Sequence, residues 1–341
     1  MSDLYKNEYE YNSNGSGTDI SKLHIVTVAT ESKYYFPYLQ ESCRRNGKEL
    51  EVLGMGEKWE GFNWKFKKMI EYLKSLPEDD IVCFVDGYDI ICTRNLHELI
   101  TVFLEIKEKE GCTMVVGFDN VNDNKLAKFV SYFVFDTCKN RGLNSGTYIG
   151  FVKDILKIIE KVYNLNPKND ADDQMLLTQY CKNNENDIYI DVNNELFLIF
   201  CKTGELDKYV TIQDYGITYK DKRPFFIHAA GGMSYLDDII IKLNYNYRDN
   251  IKKKLQQDFY LKRLPNIMFH FGKNILSRPI VFIIILFFIF YSIYNYNKKK
   301  KYLMIFFTKL PYITLNLLKK NFILLFLLFF VIGTLYVIKN K

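Results

Sequence analysis

The sequence predicts an α/β fold, in which a mixed, mostly parallel sheet is covered by helices on both faces and followed by C-terminal transmembrane helices. Three observations predict it. Short apolar runs of strand character alternate with stretches of helical periodicity, the pattern of βαβ units. The helical stretches end at their own stop signals, Gly47 and Pro77 among them. Late in the chain the pattern gives way to long apolar runs flanked by lysines.

In order, a polar tail (1–22) precedes "LHIVTVAT" (23–30), which reads as a buried first strand. A helix over "YYFPYLQESCRRNG" and a short strand "LEVLGMG" (50–56) follow. "WKFKKMIEYLKSL" (64–76) carries apolar residues at helical spacing and stops at Pro77. Then come strand "IVCFV" (81–85), helix "LHELITVFLEIKEKEG", strands "TMVVGF" (113–118) and "TYIGFV" (147–152), and helix "DILKIIEKVYNL". Helix "DDQMLLTQYC", strands "DIYIDV" and "LFLIF", and a last element "PFFIHAAGG" (224–232) complete a domain expected over 23–251. In open sheets of this kind, ligands bind beyond the carboxyl ends of the strands.

The formal charge of +6 is unevenly spread. From residue 252 onward, sixteen Lys or Arg face the single acid Asp258, so residues 1–251 carry a net −9. An acidic domain repels a phosphate backbone, which excludes nucleic acid as a partner. The basic tail has another explanation: a juxtamembrane linker (252–279) and a membrane-associated region (280–341) with candidate transmembrane helices at 280–296 and 322–338. The first twenty residues contain no apolar signal-peptide core, so the domain is expected in the cytosol, attached to a membrane from its C-terminal side. The seven cysteines form no CxxC pair and no zinc spacing, which fits a reduced compartment.

Chemistry concentrates in "FVDGYDII" (84–91), where Asp86 leaves a strand and Gly87 permits a turn that returns Asp89 to the same point. Two carboxylates there suit a hard cation such as Mg²⁺ or Mn²⁺, whose shell a bound phosphate would complete. The bland alternative is a turn with aspartate caps and a packed Tyr88. A phosphatase that places Asp at a strand end wants DxD, and the spacing here is one residue too long.

Six ordered blocks change that balance: "IVTVAT" (25–30), "LGMGEKWEG" (53–61), "FVDGYDII" (84–91), "LNSGTYIGF" (143–151), "DADDQ" (170–174) and "IHAAGG" (227–232). Together they resemble the glycosyltransferase domain of the procollagen lysyl hydroxylases and, more distantly, the collagen galactosyltransferases, with a GT-A, Rossmann-like architecture. The resemblance implies a hexose transfer from UDP-galactose or UDP-glucose to a hydroxyl of a protein, glycan or lipid, with Mn²⁺ as cofactor. It implies Asp86, Asp89 and His228 as metal ligands. Thr30, Trp59, Lys65, Tyr88, Asp86 and Gly231 would border the donor, with Tyr88 stacked on uracil and Lys65 on phosphate. Asp172, Asp173 and Asn144 would face the transferred sugar, although Asp172 could equally be a helix N-cap and Asn144 a turn residue. Departures bear on sugar and acceptor choice: Ala230 stands where the family has Asn, and the donor loop after "WEG" is shorter. A non-catalytic nucleotide-sugar-binding scaffold is the competing expectation, and a metal-dependent phosphohydrolase a third.

Overall fold

In the computed structural model, residues 19–119, 131–133, 135–200, 208–213, 216–232, 234–247 and 251–258 are described, with the pair 204–205 and single residues 128, 261 and 265. The chain divides into one unit of Met1–Gln256 and another of Gln257–Lys341. The second falls almost wholly outside the described residues, and so do both expected transmembrane segments, 280–296 and 322–338. Among the described residues, no helix is long and apolar enough to cross a membrane.

The strands are β1 (Leu23–Val28), β2 (Leu50–Leu53), β3 (Ile81–Val85), β4 (Ile90–Cys92), β5 (Met114–Phe118), β6 (Leu143–Phe151), β7 (Ile188–Asp191), β8 (Phe197–Ile199), β9 (Gly204–Glu205), β10 (Thr211–Gln213), β11 (Gly216–Thr218), β12 (Phe226–His228) and β13 (Ser234–Tyr235). The helices are α1 (Phe36–Arg45), α2 (Phe62–Leu73), α3 (Leu99–Glu110), α4 (Val152–Leu165), α5 (Asp173–Asn183), α6 (Asp237–Lys242) and α7 (Ile251–Asp258). Six strands form the main sheet in the order β2-β1-β3-β6-β5-β7. Its pairings are parallel except at β6, which runs antiparallel to both β3 and β5. A second sheet, β4-β12-β8, pairs β12 antiparallel to β4 and parallel to β8. The fold is thus mixed α/β on a mostly parallel sheet, as expected from the sequence.

Why helices cover both faces follows from the side-chain period of two along each strand. Leu23 and Ile25 of β1, with Ile81, Cys83 and Val85 of β3, pack on one side with α1 and α3. Val26 and Val28, with Val82 and Phe84, pack on the other with α2, α4 and α5. Each strand therefore reads as a continuous apolar run, the signature of burial on two faces. Phe84 lies opposite Tyr148 in the β3–β6 ladder, with their rings stacked 4.8 Å apart. A third core joins β8 and β12 to α6 and α7 through Leu198, Ile227, Ile239, Ile240 and Leu255.

Two local features depart from the sequence expectation. A disulfide joins Cys138 to Cys181, fastening the segment before β6 to α5; the expectation of uniformly reduced cysteines does not hold for this pair. Cys43, Cys83, Cys92 and Cys112 are free and buried, where a thiol behaves as a small hydrophobe. The other departure is β4, hidden in the sequence inside what reads only as a turn.

Candidate active site

Two hydrogen-bond ladders build the site. The β3–β6 ladder ends at Val85 opposite Thr147, and the Asp86 N–H continues it by donating to the Gly146 carbonyl at 2.8 Å. Asp86 is thereby fixed at the carboxyl end of β3. The β4–β12 ladder sets His228 across from Ile90, and the Ala229 N–H donates to the Asp89 carbonyl at 2.8 Å. Residues 89 and 228 are brought together by that pairing, although the sequence separates them widely. Gly87 packs against Thr27 and Ala29, where an added Cβ would lie 3.0 Å from Thr27 Oγ1, so the turn between the aspartates hugs β1.

The result is a cluster in which one ligand atom each from Asp86, Asp89 and His228 lies within 4.8 Å of the others. His228 Nε2 is 3.1 Å from Asp89 Oδ1 and 4.0 Å from Asp86 Oδ2. Burial alone disfavours a charged ring, but the charge of Asp89 and then of Asp86 outweighs it and raises the His228 pKa. Two carboxylate oxygens and one imidazole nitrogen form a donor set that could hold a divalent metal ion. His228 Nδ1 is buried with no hydrogen-bond partner. The ring is therefore oriented by packing and by its Nε2 side, and that side faces the two acids.

Around this cluster the other expected residues take separate places. The hydroxyl of Tyr88 accepts from the N–H groups of Thr30, at 3.0 Å, and Glu31, at 3.3 Å, which anchors its half-buried ring at the end of β1. Thr30 thus meets Tyr88 through its backbone N–H and, at 3.5 Å, through its own hydroxyl. Lys33 Nζ lies 4.9 Å from the centroid of that ring, a contact the sequence gave no signal for. Lys65, on α2, is buried, with Nζ 2.8 Å from Asp86 Oδ1 and 2.9 Å from Asp173 Oδ2. Asp172 caps α5, its Oδ1 accepting from Met175 N at 2.8 Å, so the N-cap alternative is realised. Burial, and next the neighbouring charge of Asp173, push the Asp172 carboxyl up to about 6.

Asn144 is buried at a register shift in the β5–β6 ladder, and its Oδ1 accepts from Gly146 N at 2.9 Å, the turn contact the sequence suggested. Gly146 was named in the sequence only as part of "NSG". A Cβ there would fall 2.3 Å from Asp86 Oδ2 and 2.7 Å from His228 Cε1, so this glycine forms the wall of the cluster. Trp59 is partly exposed, edge-on to Phe62 and Trp64, and lines a cleft of about 490 Å³ with Lys58, Glu60, Asn169 and Asp170. Gly231 has φ 79° and open space where a side chain would project. Ala230, in place of the family's Asn, is buried in the core.

Comparison with known proteins agrees with the blocks. The Caenorhabditis elegans multifunctional procollagen lysine hydroxylase and glycosyltransferase is 30% identical over 169 residues, which are 47% of this chain and 22% of that protein. The human multifunctional procollagen lysine hydroxylase and glycosyltransferase LH3 is 30% identical over 171 residues, 46% of this chain and 22% of that one. The chain therefore spans about a fifth of the length of these curated relatives. A solved glycosyltransferase involved in the glycosylation of the major capsid of PBCV-1 is similar with a TM-score of 0.42 and 13% identity, over 69% of this chain and 98% of that one. The model of the PLOD GT domain, a glycosyltransferase domain, matches residues 19–250, and with this match across the whole described sheet the chain belongs to that family.

Proposed function

We propose that the protein is a divalent-metal-dependent GT-A glycosyltransferase that moves a hexose, galactose or glucose, from a UDP-sugar to a hydroxyl acceptor. The observation that carries this reading is the convergence of Asp86, Asp89 and His228 from two different sheets. These three residues would hold Mn²⁺, and the ion would neutralise charge developing on the diphosphate leaving group. Tyr88, pinned through its hydroxyl, offers a ring on which uracil stacks. With its carboxyl raised to about 6, Asp172 changes charge close to neutral pH, the range in which a carboxylate accepts a proton efficiently from an acceptor hydroxyl. Asp173 lies beside it, ion-paired with Lys65. The acceptor we favour is a hydroxylysine of a collagen-like protein, because two relatives are named as procollagen lysine hydroxylases that are also glycosyltransferases.

Membrane attachment through the two C-terminal apolar runs belongs to the same proposal. On the side of the membrane, the Cys138–Cys181 disulfide supports an oxidising compartment, against the cytosol expected from the N-terminal sequence.

The test is UDP release from UDP-galactose and UDP-glucose by the full chain, with and without Mn²⁺, compared with Asp89→Ala. Metal-dependent release that disappears in the variant supports the transferase. UDP binding without release points to the scaffold, and inorganic phosphate from simple phosphomonoesters points to a phosphohydrolase.

A further inference from the structure

Lys65 is assigned to the donor phosphate by resemblance, but its surroundings are those of a different task. Its side chain is 7% exposed, and Nζ sits between Asp86 Oδ1 and Asp173 Oδ2 at 2.8 and 2.9 Å. An ammonium has three N–H groups; one is donated to Asp86 Oδ1, while Asp173 Oδ2, which has no hydrogen-bond partner, lies at ion-pair distance. The rings of Phe84 and Phe62 lie 5.7 and 5.8 Å from Nζ. Burial works against the charge on this amine, yet Asp173 and then Asp86 overcome it and raise its pKa.

The two partners come from separate parts of the fold. Asp86 belongs to the sheet, held by its N–H to the Gly146 carbonyl. Asp173 opens α5, a helix that packs on the sheet, and the loop before α5 is hydrogen-bonded to α2. Asn63 N donates to the Ala171 carbonyl at 3.1 Å, Trp64 N to Asn169 at 3.2 Å, and Asn63 Nδ2 to Asn166 and Lys168 at 2.8 and 3.1 Å. Gly61, with φ 130°, allows this docking, since a Cβ there would fall 2.4 Å from the Asn169 carbonyl oxygen. Lys65 thus projects from α2, the helix that holds the loop before α5, and reaches the carboxylate at the end of β3.

We infer that Lys65 is a positioning residue: by holding Asp86 Oδ1 it leaves Oδ2 facing His228 as a divalent-ion ligand, and by holding Asp173 it ties the acid beside the transferred sugar to the same frame. The inference rests on the proposed metal-and-UDP reading. It differs from a phosphate contact in what it predicts. A lysine on the diphosphate contributes to nucleotide affinity directly, whether or not metal is bound. One that shapes the metal ligand acts only through the ion.

The experiment is calorimetric titration of the full chain in detergent with UDP and with uridine, each in EDTA and in Mn²⁺, for wild type and Lys65→Met. Near-UV circular dichroism reports the fold. The expected result is unchanged metal-free affinity for both ligands, within about twofold, and a loss of at least about tenfold in the tightening that Mn²⁺ confers on UDP; Lys65→Arg, whose fork bridges two carboxylates, restores part of it. If Lys65→Met unfolds, Lys65→Met/Asp173→Asn, which removes one of the carboxylates left unpaired, is measured in its place. A drop of about tenfold in metal-free UDP affinity, with the Mn²⁺ effect intact, overturns the inference and returns Lys65 to the phosphate. Wild type that binds UDP more tightly with Mn²⁺ yet transfers no sugar would sink the transferase reading alone and leave the role of Lys65 standing. Wild type on which Mn²⁺ has no effect would sink both.

Discussion

Gly146→Ala isolates the geometry of the metal cluster from its chemistry, because no candidate ligand is removed. Gly146 is not among the residues with positive φ, so alanine meets no backbone penalty and acts by volume alone. The new methyl would lie 2.3 Å from Asp86 Oδ2, against an ordinary contact of at least 3.4 Å, so one of the two must move by about 1.1 Å. Gly146 lies in the register shift of the β5–β6 ladder, but its carbonyl accepts from Asp86 N and its N–H donates to Asn144 Oδ1, so both of its backbone polar groups are held. Asp86 is held at its N–H by Gly146 itself and at Oδ1 by Lys65, which leaves rotation of Oδ2 away from His228 as the easiest response. A misplacement of about 1 Å at a reacting centre costs on the order of 10²-fold in rate. The assay is Mn²⁺-dependent UDP release, with kcat and the Mn²⁺ concentration for half-maximal rate measured separately and the fold checked by near-UV circular dichroism. The expected outcome is a kcat about a hundredfold lower, a raised metal requirement and a native spectrum. A folded Gly146→Ala protein with activity and metal dependence within about threefold of wild type would refute the assignment of Asp86 as a ligand.

Three further outcomes are expected. His228 has a raised pKa and must be neutral to bind a metal, so Mn²⁺ competes with a proton: apparent affinity rises by about tenfold per pH unit up to that pKa and then levels off. Titrations near pH 6.5 in two buffers of different ionisation enthalpy should show proton release, and none would count against His228 as a ligand. Cys181→Ser opens a loop of sequence separation 43, for which chain entropy predicts a loss of about 4 kcal/mol, read as a lower urea midpoint; reductant should do the same to wild type, and an unchanged midpoint would mean the bond does not form in solution. Asp191→Ala orphans the N–H groups of Glu195, Leu196 and Phe197 in a fully buried setting and should cost about 3 kcal/mol or more. Burial also holds Asp191 protonated up to about 6, above the unfolded value of 3.8. The folded state therefore binds the extra proton between those values, and this group's contribution to stability declines as pH rises through them. In Asp191→Asn that slope should flatten in urea titrations between pH 4 and 6, and a slope equal to that of wild type would assign it to other groups.

Much of the main sheet was legible because its strands announce themselves locally. "IVCFV" is β3 residue for residue, since five consecutive apolar side chains can be buried only between two layers of helix. Strand direction was not legible. The stretch "LNSGTYIGF" shows an apolar run, but whether it runs with or against β3 is decided by hydrogen bonds to residues more than fifty positions away. β4 was missed for a related reason: three residues after a turn carry too little pattern, and only pairing with β12 makes them a strand. At the site, Asp86, Asp89 and His228 came from ordered motifs and do converge. The pairing of Lys65 with two aspartates did not, because a lysine on an amphipathic helix reads as solvated until the elements around it close. Nor did Cys138 and Cys181 give a spacing signal, since a disulfide between a loop and a helix follows from tertiary proximity alone.

Reversal of β6 is what makes the cluster possible. In a wholly parallel sheet only carboxyl strand ends reach the site edge, and each is followed by a loop whose backbone is free to vary. Here the neighbour of β3 enters the sheet from that edge, so the start of β6 brings a glycine carbonyl and a side-chain-free wall against Asp86. His228 arrives by a separate ladder, across from the residue that follows Asp89. His228 is therefore placed by strand pairing, and Asp86 and Asp89 open and close a four-residue turn whose ends hydrogen-bond to Gly146 and Ala229. Ligands held on paired strands keep their geometry without help from a bound ion. A cluster organised in this way binds by recognition more than by folding, which is why a wall substitution such as Gly146→Ala should damage metal use while leaving the surrounding sheet intact.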